Sequence, residues 1–466
     1  MENKVHKGRS WLVVATLLLF SPMRAQTLSV GGGLSDPLRS LAVDSVNTRV
    51  LVGGGFRYAG SPDSLLAKGI VAWEHDHWSM EGLADGSGDT LPAWYLSQKI
   101  LFDMAMFHDT LFAVVGDQDW HYNEELNGII YLVNNEWHPC AFTDNYVELM
   151  NCNGRLFGGG PADTVAGVFM SGAKEWVSGG WQLLPNSPFD NPLASNVECV
   201  TYWHERYYFA GLFNASGAHK VISWDGANDW APVGDGLGPN WVNAIAGYGD
   251  TLYAGGFLGE TPEQPSRHMR LWDGTTWRPF FPEVQFVDQV WRMEVYEGAL
   301  YILGVHHHAD DDTMYPLLRF DGQNLCSLGG PVTGGSGNML FYQDTLYYGL
   351  QTMFPGLEYQ RIGRLPLNGL VPDRCVTVAT SIEEEIEMGG LRLYPNPAST
   401  SIDLQLPTHF CGERIAVYNS LGQKAIENVL HKERAIALNI QNLLYGAYSV
   451  VVSGEGQVAL GRFIKD

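Results

Sequence analysis

From about residue 26 to residue 375 the chain alternates short apolar runs with polar turns, and no stretch there keeps a helical period. The clearest unit is Asn243–Phe280, which reads NAIAGYGDTLYAGGF, then a variable stretch, then MRLWDGTTWRPF. It predicts four short strands. An apolar run ends at a Gly-Asp turn, the β-rich Leu252–Phe257 follows, and after a longer polar segment two more strands flank Asp273-Gly274. Asp-Gly between apolar runs suits a two-residue hairpin, because both residues tolerate the positive φ of a primed turn.

The unit recurs. Its second-strand core position falls on Leu51, Leu111, Leu156, Tyr208, Leu252, Leu300 and Leu346, about 49 residues apart on average. Seven copies of a four-stranded unit of this size predict an all-β chain built around a seven-bladed β-propeller over 26–375, with a β-solenoid as the alternative. Residues Leu28–Pro37 (LSVGGGLSDP) echo Ala231–Pro239 (APVGDGLGP), the last strand of the fourth copy. Residues 28–34 are therefore expected to pair into the seventh blade and leave no open edge. Trp73, Trp224, Trp230, Trp272 and Trp277 recur in register and are read as packing residues. These Trp-Asp-Gly units resemble the kelch-type and galactose-oxidase central-domain propellers. The resemblance implies the fold alone, since most Arg/Gly/Tyr features of a strict kelch motif are missing and no copper-ligand pattern matches.

Composition narrows the function classes. With Lys+Arg 28 against Asp+Glu 51 the net charge is −23, spread along the chain, which repels a phosphate backbone and argues against nucleic acid as a partner. Lys4, Lys7 and Arg9, the apolar run Trp11–Phe20, and a small residue at Ala25 have the layout of a secretory signal peptide over 1–25, cut between Ala25 and Gln26. The apolar run is too short to span a bilayer, and no later stretch is long enough, so no transmembrane span is expected in the mature chain. Export permits disulfides among Cys140, Cys152, Cys199, Cys326, Cys375 and Cys411. Spacing does not choose a connectivity; Cys140–Cys152 is the most local pair, and buried free thiols are the other reading.

Residues 376–390 (VTVATSIEEEIEMGG) are acidic, lack aromatics and read as a linker. The last segment, 391–466, predicts strands at Leu391–Tyr394, Ile402–Leu406, Ile415–Tyr418, Ala435–Ile440, Tyr448–Val452 and Ala459–Ile464, a small β-sandwich-like domain. It carries Tyr394-Pro395-Asn396-Pro397-Ala398, then Ile415–Asn419 followed by Leu421-Gly422, then Leu443 with Gly446-Ala447-Tyr448, and a closing Gly461-Arg462-Phe463-Ile464-Lys465. In these pieces and their order the segment resembles the type A C-terminal sorting domain of the Bacteroidetes-type type IX secretion system. The resemblance implies passage by Sec and then by the type IX machinery. Tyr394, Pro395, Asn396, Pro397, Gly422, Gly446, Tyr448 and Lys465 are its sorting-motif positions. Release, or attachment to surface lipopolysaccharide, would follow.

Sites in the repeat body are expected on the loops 57–68, 117–126, 258–268, 305–315 and 351–360. Trp94, Trp120, Trp241 and Trp291 form an aromatic candidate face for a glycan or protein ligand. His306-His307-His308, followed by Asp310-Asp311-Asp312, joins that face either as metal ligands or, the reading preferred here, as a solvated loop tip. No nucleophile elbow, P-loop, dinucleotide fingerprint or zinc motif occurs, so no catalytic, cofactor or metal residue is assigned. Asp103, Asp288 and Glu294 are the acids to inspect for a paired-carboxylate hydrolase. The expectation is a secreted or cell-surface propeller acting as a non-enzymatic binding or adhesion module; the alternative is a propeller hydrolase acting on carbohydrate.

Overall fold

The computed structural model describes residues 27–60, 65–67, 69–83, 100–116, 128–142, 148–160, 163–165, 168–170, 172–189, 195–215, 217–237, 241–258, 268–332, 337–349, 361–378, 391–406, 414–419, 424–429, 435–454 and 457–466. These residues hold strands and turns and no α-helix. The chain divides into two compact units, Met1–Val378 and Ala379–Asp466.

The first unit is a succession of antiparallel sheets. Leu38–Asp44, Arg49–Gly54, Ile70–Glu74 and His77–Ser79 make the first. Ile100–Phe107, Thr110–Gly116, Gly128–Val133 and Glu136–Phe142 make the second, and Glu148–Cys152, Arg155–Gly159, Lys174–Val177 and Gly180–Leu183 the third. Ser195–Trp203, Arg206–Ala215, Ala218–Trp224 and Trp230–Pro232 follow, then Trp241–Tyr248, Thr251–Phe257, Met269–Trp272 and Trp277–Pro279. The sixth sheet has Arg292–Tyr296, Ala299–His308, Asp311–Phe320 and Asn324–Leu328, with Val284–Phe286 beside the far half of its second strand and Arg374–Thr377 on its outer edge. Met339–Tyr342, Thr345–Gly349 and Ile362–Pro366 belong to the seventh, whose fourth strand is Leu28–Ser29 from the front of the chain. The repeated core residues Leu51, Leu111, Leu156, Tyr208, Leu252, Leu300 and Leu346 each lie on the second strand of a sheet.

The first strand of each sheet lies against the first strand of the next, and that of the seventh returns to that of the first. The circuit is closed. Of the N-terminal segment only Leu28 and Ser29 pair with the seventh sheet, opposite Arg364 and Gly363. Residues 30–34, expected in the same strand, instead turn at Gly31, Gly32 and Gly33, all at positive φ, and Leu34 bridges to Ala59 next to the first sheet. Close approach inside a sheet explains one glycine directly. A Cβ on Gly256 would sit 2.2 Å from the carbonyl oxygen of Trp241 on the facing strand.

Paired tryptophans join the sheets. Trp73 faces Trp78, Trp176 faces Trp181, Trp224 faces Trp230 and Trp272 faces Trp277 across the outer two strands. The outer indole of each pair donates to the end of the preceding sheet: Trp78 Nε1 to Gly31 O at 2.9 Å, Trp181 Nε1 to Cys140 Sγ at 3.2 Å, Trp230 Nε1 to Pro185 O at 2.9 Å and Trp277 Nε1 to Val233 O at 2.9 Å. These rings bury apolar surface while their N–H groups find acceptors, which a buried indole requires.

Among the described residues Cys326 and Cys375 form a disulfide, whereas Cys140 and Cys152 are free thiols, one of the readings their spacing left open; Cys140 accepts from Trp181. Two expectations are corrected. Residues 376 and 377, assigned to the linker, pair with Leu325 and Asn324, and Val378 is buried, because the outer strand of the sixth sheet runs on past its cystine. The segments 57–68 and 305–315 are not open loops throughout: within the first, Tyr58–Ala59 pairs with Leu65–Leu66, and the second is the paired ends of two ten-residue strands.

In the second unit, Arg392–Tyr394, Ser401–Gln405 and Ala435–Asn439 form one sheet. Lys424–Val429, Arg414–Asn419, Gly446–Gly454 and Gln457–Lys465 form the other. Ile402, Leu404, Ile415, Val417, Val450, Val452 and Phe463 bury into one core between them. Lys424–Val429 was not anticipated: KAIENV lacks the alternation and β-branched run that mark a strand, and it pairs at the outer edge of its sheet. Tyr394-Pro395 and Asn396-Pro397 are cis peptides.

The cystine closes a sequence separation of 49 residues that contains three of the four strands of the seventh sheet. The Cys326→Ser/Cys375→Ser variant is expected to lose about 4 kcal/mol from the restored chain entropy of the unfolded state. Denaturant titration of oxidised wild type against the variant checks this, and equal midpoints would refute it.

Candidate functional site

The innermost strands depart from regular pairing at one recurring place. Register slips between Leu38 and Ser40, Leu101 and Asp103, Val197 and Cys199, and Val242 and Ala244, so Arg39, Phe102, Glu198 and Asn243 are each an extra residue near the start of a first strand. A bulge takes its residue out of the ladder and re-aims the side chain. Around the closed circuit these positions share one end with Glu148 and Arg292, which open the first strands of the third and sixth sheets.

Side-chain bonds tie that end together. Asp103 accepts from Ser40 Oγ at 2.7 Å and from the Leu149 amide at 2.7 Å, linking three consecutive first strands, and also from the Met104 amide at 2.8 Å. Asn338 Nδ2 donates to Arg39 O at 3.3 Å, and Asn243 Nδ2 to Gln289 Oε1 at 2.9 Å. The Arg39 guanidinium lies 5.0 Å from the centroid of the Phe102 ring.

Burial pushes the Glu198 carboxyl up to about 7, so near neutrality it both donates and accepts; Asn196 Nδ2 hydrogen-bonds it. The neighbouring Cys199 thiol is driven well above its ordinary range, first by burial and then by the Glu198 carboxylate, with Arg292 opposing and Glu148 adding. Glu148, Glu198 and Arg292 thus act on one point. Burial also raises Glu294, with Arg292 pulling the other way. Two arginines, an amide, a part-protonated acid and an aromatic face can hydrogen-bond and stack on a neutral polar ligand.

The sequence candidates fare unevenly. Trp241 opens the first strand of the fifth sheet, 46% exposed and opposite Phe257, 44% exposed. Trp291 lies at the start of the sixth, half-buried, with its Nε1 buried and without a partner. Trp94, Trp120, the loop 117–126, and the signal junction Ala25 and Gln26 lie outside the described residues, as does Gly422 of the tail. Asp103 is a structural acceptor, its oxygens held by the three donors above, and is no catalytic candidate. Asp288 is exposed and accepts from the Gln289 amide at 2.7 Å.

The histidines are not a solvated loop tip. His306 and His308 point into the sixth sheet fully buried, each 2.8 Å from Ser327 Oγ. His306 Nδ1 bonds Gly304 O at 3.0 Å, which makes it the protonated nitrogen and leaves Nε2 to accept from Ser327. His308 Nε2 then donates to Ser327. Both rings are therefore neutral, and burial lowers His306 from 6.5 to about 3 and His308 in the same direction. Asp310 and Asp311 pair with Arg374. No group of three or more potential ligands fit to hold a metal occurs among the described residues. Alternation along the strand sends His306 and His308 inward to share Ser327 while His307 is only half-buried, so the three imidazoles do not meet at one point.

Sequence reasoning missed Arg39, Phe102, Glu148, Glu198 and Arg292. The signal was a polar or bulky residue set just before each repeated apolar run, as in RSLAVD, FDMAMF, ECVTYW and NAIAGY.

Residues 392–466 match the family described as the secretion system C-terminal sorting domain. A tail of this kind places the chain in the hands of the type IX machinery, for export to the cell surface or the medium. Among curated proteins none matches the chain. A Niastella koreensis GH74 enzyme is 10% identical, with 94% of this chain and 80% of that one covered and a TM-score of 0.38. An extracellular domain from B. thetaiotaomicron is 9% identical, with 91% and 72% covered and a TM-score of 0.26. Likenesses this slight carry no argument about activity. Among the described residues no helix is long and apolar enough to cross a membrane.

Two measurements check the site. Asp103→Ala strands the Leu149 amide and the Ser40 hydroxyl, so calorimetry is expected to find a loss of roughly 2 kcal/mol; an unchanged Tm would refute the linking role. The neutral histidines contribute stability that is whole above pH 6.5 and falls as the pH drops toward about 3, because the unfolded chain takes up protons the native sheet refuses. A His306→Gln/His308→Gln chain is expected to show a shallower acid limb in a stability–pH titration, and a superimposable limb would refute this.

Proposed function

We propose that the chain is an exported seven-bladed β-propeller that binds a neutral polar ligand, a glycan in the first instance, at the end of the ring where the first strands begin. The observation that carries this reading is the closed circuit of seven first strands, one end of which gathers Arg39, Phe102, Glu148, Glu198, Asn243 and Arg292. Residues 1–25 serve as a cleaved signal peptide for Sec, 26–375 with the three residues beyond as the propeller, and 391–466 as the sorting domain. Adhesion at the cell surface, with the sorting domain removed and the body attached to lipopolysaccharide or released, fits this layout.

A hydrolase reading keeps one specific support: a carboxyl held near 7, Glu198, with a further acid, Glu148, that also acts on Cys199, suits the unequal acids that cleavage of a glycosidic bond uses. Binding is preferred because the Glu198 carboxyl is engaged by the Asn196 amide rather than standing free to attack. A glycan array with the full mature chain tests it. Retention of a glycan by wild type, lost in Glu198→Ala/Arg292→Ala, supports binding. Release of reducing ends from the retained glycan would transfer the case to hydrolysis, and no retention at all would refute both.

Export is tested separately. Removing Phe463 to Asp466 deletes a core phenylalanine and the end of the last strand. The shortened chain is expected to accumulate in the periplasm of a type IX host, with immunoblots of periplasm and medium as the readout. Normal export would refute the sorting assignment.

A further inference from the structure

The sorting-domain match covers 392–466 as a whole and does not say which surface is read. Tyr394, Pro395, Asn396 and Pro397 are all exposed, so no core requires them. What they do touch is the other end of the domain. Asn396 Nδ2 donates to Arg462 O at 3.0 Å, and Asn396 Oδ1 accepts from the Ile464 amide at 2.9 Å. Ala398 N donates to Ile464 O at 2.9 Å, Asp466 N returns to Ala398 O at 3.2 Å, and Ala398 bridges Lys465 in parallel. The last strand, Gln457–Lys465, is an edge strand; one side pairs with Gly446–Gly454, and its other side is met here by the segment 394–398.

Asn396 and Ala398 thus bring the first few residues of the domain against its last few. Tyr394 is 51% exposed and Ile464 52% exposed, and the two prolines and Arg462 are exposed as well. Large apolar side chains at half exposure are the anchors from which protein interfaces are built. Rigid backing by paired strand and prolines lowers the entropy lost on docking. Arg462 adds a cation to a molecule of net charge −23, which selects a partner with a carboxylate at that place.

We propose that the export machinery reads this composite surface, Tyr394–Pro397 laid against Arg462–Asp466, through an apolar cleft edged by acid, and that Asn396 is the positioning residue that holds its two halves in register. The proposal rests on the reading of the tail as a sorting signal and goes further in making the signal a folded surface rather than a linear C-terminus.

The test uses the full-length chain in a type IX host, with export scored as the fraction in medium and outer surface against periplasm. Tyr394→Ser/Ile464→Ser alters only exposed side chains, and Asn396→Ala removes the clamp while leaving residues 462–466 intact. Each is expected to lower the exported fraction about tenfold, as the loss of one anchor does. Arg462→Glu is expected to do the same, and Arg462→Lys to restore export. Thermal melts of the purified chains establish that the sorting domain stays folded in the Tyr394/Ile464 and Arg462 variants. If folded Tyr394→Ser/Ile464→Ser and Arg462→Glu are exported like wild type, the composite surface is overturned. If both fail while Asn396→Ala exports normally, the positioning role is overturned. Failure of wild type itself to leave the periplasm would overturn the sorting reading, and this proposal with it.

Discussion

Closure of the ring is the constraint on which the first unit depends. Each sheet buries one face on its predecessor and the other on its successor, so a row of such sheets has two bare apolar faces until its ends meet. They meet twice. The first strand of the seventh sheet packs on the first strand of the first, and Leu28–Ser29 from the front of the chain completes the outer edge of the seventh. The glycine turn at residues 31–33 makes this possible, since a chain leaving the edge of one sheet must enter the centre of the next within a few residues.

Packing and chemistry separate along each sheet. In four sheets the outer strands carry tryptophan pairs, and the outer indole of each pair donates to the neighbouring sheet. The first strands of four sheets are bulged near their starts, which takes Arg39, Phe102, Glu198 and Asn243 out of the regular ladder. The same geometry makes Asp103 a structural bond and Glu198 a functional candidate: both are acids on an inner strand, but one meets three donors and the other meets a single amide and a buried setting.

The sixth sheet has a further task, because the chain leaves the first unit there. Arg374–Thr377 adds itself outside the fourth strand, and the cystine crosses directly between facing residues, Cys326 and Cys375. Arg374 pairs with Asp310 and Asp311 at the tip of the long hairpin, and the buried imidazoles hold Ser327 beneath it. The exit of the first unit is thus fixed by a covalent bond, an ion-pair cluster and a neutral hydrogen-bond chain, three interactions that fail under different conditions.

The sequence by itself determined the repeat, the second-strand core positions and the sorting tail. Each is a local pattern: leucine two or three residues past a turn, Asp-Gly between apolar runs, and a set of short motifs in order. Only the tertiary structure decided which residues of that pattern bulge out of the first strands, which cysteines meet, and what the histidines do. Cys326 and Cys375 lie far apart in sequence and become partners because three strands of the seventh sheet fold out between them. His306 and His308 read as a polar cluster until the register of Ala299–His308 turns both rings inward onto Ser327. Asn396 shows the same limit, since its position in a motif is legible but its two bonds to the last strand exist only once both ends of the domain share one core. Local periodicity is set by neighbours a few residues away, whereas bulges, cystines and buried polar chains are set by partners that come together only when the sheets close.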